Sequence, residues 1–178
     1  MSRYPLVELD PTVVQHIAER GGRPLNLYRV LGNQPALLHA WIDFAAALRY
    51  QCDTARTLRE LLILRTAQVC RSSYQWEQHL SLAQKAGVPE NQISELETWR
   101  TSALFNPRER AALALTEAVV ACNVDAATHA AAASLFTPAE MIELVLTASF
   151  YSMVSRVLEA TAVPAEGEAG GASGVGSR

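Results

Sequence analysis

The sequence predicts an all-α protein, compact and multi-helical. Three observations carry that prediction. Apolar residues recur at three- and four-residue steps, helix-start signals are repeated along the chain, and the β-branched alternation of strands is missing. With 178 residues and 49% apolar content, the chain can build a proper core. One helical domain is expected over residues 1–163.

The N-terminal residues Met1–Pro11 mix polar and apolar types and lack the layout of a signal peptide. Asn33-Gln34-Pro35 then opens an Ala/Leu-rich helix reaching about Tyr50. Thr57-Leu58-Arg59-Glu60 fits a capping box, in which Glu60 reaches back to the cap's backbone. Leu61, Leu62, Leu64 and Val69 mark the apolar helix that follows, ending near Cys70. Ser72-Ser73-Tyr74-Gln75 fits a second capping box. Gln75 and His79, four residues apart, share a face of the next helix, which Leu82, Ala83 and Ala86 extend toward the core. Gly87-Val88-Pro89 is a stop and restart.

Asn106-Pro107-Arg108-Glu109 and Thr137-Pro138-Ala139-Glu140 each set a cap, a first-turn proline and a third-position glutamate in order. Asp125 caps a shorter Ala-rich helix around His129. From Thr137 to Ala162 the stripe Met141, Ile142, Val145, Ala148, Tyr151, Val154 and Leu158 predicts a long helix. Leu146 and Phe150 widen its face, as in an oligomer contact or a central helix. From Pro164 to Arg178 the composition turns to Ala, Gly, Glu and Ser, and a disordered tail is expected.

Net charge is −3, Lys85 is the sole lysine, and the arginines are scattered, so no nucleic-acid surface is expected. The apolar stretches are interrupted too often to suggest a membrane span. Cys52, Cys70 and Cys122 form neither a disulfide framework nor a zinc pattern, which fits a cytoplasmic protein with reduced thiols. His16, His39 and His129 have no companion pattern, and no metal site is expected. No glycine-rich phosphate cradle is present, so no cofactor is expected.

The chemistry concentrates between Glu60 and His79. Arg59-Glu60-Leu61-Leu62-Ile63-Leu64-Arg65, then Tyr74-Gln75-Trp76-Glu77-Gln78-His79 and Ala86-Gly87-Val88, resemble the carboxymuconolactone decarboxylase family, which includes the alkyl hydroperoxide reductase D (AhpD) peroxidases. Arg20 to Leu27, Asn106 to Arg110 and Glu143 to Val154 resemble its longer members, so the likeness runs from about Tyr4 to Val163. It implies an all-α fold that buries its motif near subunit contacts, commonly in trimers or hexamers.

The family's redox members carry Glu…Cys-x-x-Cys-x-x-x-His. Here the glutamate falls on Glu60 and the histidine on His79, while Ser72 and Gln75 stand at the two cysteine positions. Serine and glutamine cannot cycle through sulfenic acid or disulfide, so two-cysteine peroxidase chemistry is not expected. The resemblance implies an acid–base pair, Glu60 and His79, with Ser72, Tyr74 and Gln75 as substrate-binding donors. Such a pair suits lyase- or isomerase-type chemistry on a small organic acid or lactone. Two other readings stay open: a thiol antioxidant using Cys70, two residues early for the motif, and a non-catalytic oligomeric ligand-binding protein.

Overall fold

The computed structural model describes residues 2–167, and all regular structure among them is helical. The helices are α1 (Pro11–Glu19), α2 (Asn26–Leu31), α3 (Pro35–Tyr50), α4 (Arg56–Val69), α5 (Ser73–Ala86), α6 (Glu90–Ser94), α7 (Pro107–Val120), α8 (Ala126–Ala133) and α9 (Pro138–Thr161). A 3-10 turn at Leu96–Thr98 follows α6. The described residues divide into two compact units, residues 2–46 with 158–167, and residues 47–157.

In the first unit, Asp10 caps α1 by accepting the Thr12 N–H at 2.8 Å, with Pro11 in the first turn. Val13, Ile17, Leu27, Tyr28, Leu38, Ile42 and Leu158 are buried. The chain ends of this unit are stitched together. Arg3 N–H donates to Thr161 O at 2.9 Å. The Asn26 amide donates to Pro164 O and Ala165 O at 3.3 and 3.1 Å, and Glu166 Oε1 accepts the Asn26 N–H at 2.9 Å. Residues 164–166 of the tail are thus bound to Asn26. Residues 168–178, the remainder of the stretch expected to be disordered, lie outside the described residues.

His16 and His39 are not isolated in this unit. Their ring centroids lie 5.0 Å apart at a tilt of 55°, and His16 Nε2 lies 3.1 Å from Asp43 Oδ1, which also takes the Arg20 guanidinium at 3.1 Å.

The second unit holds one contiguous core. Leu61, Leu62 and Leu64 of α4, Ala83 of α5, Leu113 and Leu115 of α7 and Leu144 of α9 pack together with Leu96 of the 3-10 turn and with Trp99, Phe105 and Phe136 of the connections. Each fully buried leucine contributes about 1.5–3 kcal/mol relative to an exposed one. Asn106 and Glu109 form the expected capping box, and Thr137 and Glu140 exchange the same reciprocal bonds. Gly87 ends α5 with φ +93°, a left-handed geometry that glycine adopts without the strain of a side chain.

Two local expectations fail. Helix α4 starts at Arg56 after Ala55, with no side-chain cap, so Glu60 is not part of a capping box. On α9, Ile142 is 60% exposed, and Leu146 and Met153 are also exposed, while Phe150 is buried. The inward stripe therefore runs through Met141, Leu144, Ala148, Tyr151, Val154 and Leu158. By length and composition α9 could cross a membrane, yet more than half of its most apolar window is buried in the protein, as in a core helix.

Candidate active site

Helix α4 turns its hydrophilic residues inward. Arg59 and Glu60 are buried within an otherwise apolar run, and Glu60 has no exposed surface. A carboxylate in such a place must be paired, because burying it alone costs several kcal/mol, on the order of 3–5 in mutational tests. Its partners come from two directions. One oxygen, Oε1, takes an ion pair from Arg56, one turn earlier on the same helix. The other, Oε2, lies 2.9 Å from His79 Nδ1 on α5.

Burial pushes the Glu60 carboxyl up, but the His79 hydrogen bond, the His79 charge and the Arg56 charge together outweigh it. The net position is below the ordinary carboxylate value. Glu60 is therefore ionised at neutral pH and acts as an acceptor. With the carboxylate accepting, the His79 ring donates from Nδ1, and the neutral form of that tautomer has its lone pair on Nε2.

His79 is largely enclosed, with 12% of its side chain exposed. The Tyr151 ring of α9 meets it edge-on, centroids 4.8 Å apart at 86°. The imidazole plane is thus fixed from one side by Glu60 and from the other by Tyr151. Among the described residues, Nε2 has no hydrogen-bond partner.

The four other residues expected at the site divide by role. Ser72 caps α5, its Oγ accepting the Gln75 N–H at 3.4 Å, so its own O–H remains able to donate. Gln75 does not reach back to the cap. It is 1% exposed, its amide donates to Ile63 O at 3.3 Å, and its Oε1 accepts from Ser155 Oγ at 3.0 Å. Gln75 thus ties α4, α5 and α9 together rather than lining a ligand surface. Tyr74 is partly buried at the first turn of α5. Cys70 closes α4, its N–H bonded to Thr66 O, and no hydrogen bond or ion pair joins its thiol to Glu60 or His79 among the described residues.

Arg56, Tyr151 and Ser155 escape the sequence reading. A signal for Arg56 existed, since it stands four residues before Glu60 on the same helix face. Tyr151 and Ser155 also stand four apart, matching Gln75 and His79 on the facing helix, but only the fold brings the two pairs together.

Residues 35–118 match the model of the carboxymuconolactone decarboxylase family. Over 67 residues the chain is 36% identical to the uncharacterized protein YdfG of Bacillus subtilis (strain 168). That match covers 38% of this chain and 46% of the relative, less than half of the relative's length. The fold is similar to an AhpD-core, peroxidase-related protein of Ralstonia eutropha JMP134, with TM-score 0.78 at 20% identity over 94% of this chain and 93% of that one. It is similar too to a Cys-to-Ala variant of the debrominase Bmp8 in complex with 2,3,4-tribromopyrrole. There the TM-score is 0.78 at 17% identity, covering 94% and 95% of the two chains. At such identities these two structures establish the fold alone.

Proposed function

Because residues 35–118 match the carboxymuconolactone decarboxylase family, we propose that the chain performs cofactor-free acid–base chemistry, of lyase or isomerase type, on a small organic acid or lactone. The observation that carries this reading is the 2.9 Å contact between Glu60 Oε2 and His79 Nδ1, with Nε2 left unpartnered.

In the proposed reaction Nε2 takes a proton from a carbon next to the substrate carbonyl. The electron pair of that C–H bond moves into an enolate. The imidazolium formed is stabilised by the Glu60 carboxylate and gives the proton back at the carbon that ends the reaction. In a decarboxylation the C–C bond to the carboxylate breaks first, and a protonated His79 delivers the proton to the resulting enolate. The enolate oxygen needs a donor. The Ser72 hydroxyl, free to donate while its oxygen accepts the cap bond, and the Tyr74 hydroxyl are the residues assigned to it. Gln75 is not assigned a substrate role, because its amide is spent on Ile63 and Ser155.

The test is proton exchange in D2O, followed by proton NMR, on a panel of carboxylate-bearing γ-lactones. His79→Ala should slow exchange or turnover of the accepted compound by about 10²–10⁴-fold, the usual worth of a positioned acid–base group. Unchanged rates in a folded His79→Ala protein would remove the pair from the mechanism.

A further inference from the structure

We infer that Arg56 is the positioning residue of the site: it holds Glu60 as a carboxylate with Oε2 turned toward His79. This deepens the acid–base reading above and rests on it for its functional meaning.

The first observation is the local build of α4. A helix start carries partial positive charge and unsatisfied N–H groups, so it favours acidic residues and a side-chain cap. Helix α4 has neither. It begins after Ala55 with no side-chain cap, has no acidic residue in its first turn, and places Arg56 and Arg59 there. Helices α1, α5, α7 and α8 have a side-chain cap, while α2 and α6, like α4, have none. Arg56 and Arg59 thus stand at an uncapped helix start whose partial positive charge disfavours them, and their interactions lie elsewhere.

The second observation is how the guanidinium is fixed. Arg56 Nη1 donates to the carbonyl of Arg49 at 3.0 Å, while Nη2 pairs with Glu60 Oε1. The same Arg49 carbonyl accepts from Arg59 Nη2 at 3.0 Å. Arg59 is further bound to Thr54, through its backbone oxygen and its hydroxyl. The end of α3 is thereby locked to the start of α4 by two guanidiniums on one oxygen. Arg56 cannot follow the solvent like an ordinary surface arginine, although 27% of its side chain is exposed. Tyr50 lies alongside, its ring centroid 5.9 Å from the Arg56 guanidinium carbon.

The third observation is the division of the carboxylate. One oxygen is taken by Arg56 and the other by His79, so the plane of the carboxylate is set by both partners. With Arg56 in place, the carboxylate can orient the imidazole without surrendering its own ionisation. The charged and titratable groups facing Glu60 are Arg56 and Arg59 on α4 and His79 on α5. Tyr151 of α9 bears on it through the His79 ring.

The experiment needs no substrate, which separates its failure from failure of the proposed reaction. The carboxyl carbon of Glu60 is followed by 13C NMR against pH in the full chain, with Arg56→Ala, Arg56→Gln and Arg56→Lys as variants. In Arg56→Ala the Glu60 midpoint should move upward by about one pH unit, a tenfold gain in proton affinity. Arg56→Lys should restore most of the original midpoint, while the neutral Arg56→Gln should not. A structural role alone would lower stability in all three without this order. If Arg56→Ala does not fold, the Gln and Lys pair decides the matter by itself. A Glu60 midpoint equal in the Gln and Lys variants would overturn the inference.

Discussion

Ser155 Oγ on α9 donates to Gln75 Oε1 on α5 at 3.0 Å, and both side chains are almost completely buried. The sequence resemblance sets Gln75 at one of the two positions where redox members of the carboxymuconolactone decarboxylase family carry a thiol. Its other polar arm donates to the carbonyl of Ile63, so a single amide bridges three helices. The neutral amide is suited to this place, because it can donate and accept without a charge to bury.

Gln75→Glu should therefore be more damaging than its small change in shape suggests. The donor to Ile63 O becomes an acceptor, and a carboxylate is buried with no cation assigned to it. The expected loss is about 2–4 kcal/mol at pH 7, within the range for unsatisfied buried charge. Part of it should return as pH is lowered and the carboxyl protonates. Urea unfolding at pH 7 and pH 5 checks the direction.

Glu60 predicts the opposite pH dependence. Its folded-state carboxyl lies below the ordinary value of 4.5, so the unfolded chain binds this proton more tightly. The stabilisation is fully present above the ordinary carboxylate range and is lost as pH falls through the folded-state value. The stability gap between wild type and Glu60→Gln should shrink as pH falls below about 4.5. A gap that widens across that acid range would contradict this assignment.

Ser72→Cys places a thiol at the start of α5, where exposed N–H groups and the helix dipole favour the thiolate. Its iodoacetamide reaction should show a midpoint below the ordinary thiol value of about 8.5. The lost cap should cost about 0.5–2 kcal/mol. Use of a Cys70→Ser background keeps the native thiol at the end of α4 out of the signal.

Glu143 supports the segment that precedes the site. Its two oxygens accept the N–H groups of Asp53 and Thr54 at 2.7 and 2.9 Å. Glu143→Ala should accelerate hydrogen exchange at these two amides and lower stability by about 1–3 kcal/mol, as expected when charged hydrogen bonds are removed. Exchange at core amides of α7 should change only with global stability.

Most of the helical layout could be read from the chain because its signals are local. Asn106, Asp125, Ser72 and Gly87 act within three or four residues of themselves, and each has its expected effect. The motif also pointed to Glu60 and His79 as a pair. The start of α4 misled because Thr57 and Glu60 have the spacing of a capping box, whereas burial recruits Glu60 to His79 and Arg56. Tyr151 and Ser155 read as positions on or beside a core stripe, since nothing local indicates which helix they will face. His16 and His39 likewise pair only once α1 and α3 are folded.

Glu60 and His79 lie on consecutive helices joined by the short turn Cys70–Ser72, with Arg71 in a left-handed conformation at φ +54°. The ring enclosed by their contact is short, and the entropy needed to close it is small. The groups that would handle the proton therefore reside in one αα-hairpin. The aromatic wall against His79 arrives some seventy residues later on α9. The Glu60–His79 pair and the ring packed against it are thus encoded in separate stretches of sequence. A substitution at Tyr151 would change the wall beside His79 while the hairpin keeps its pair intact.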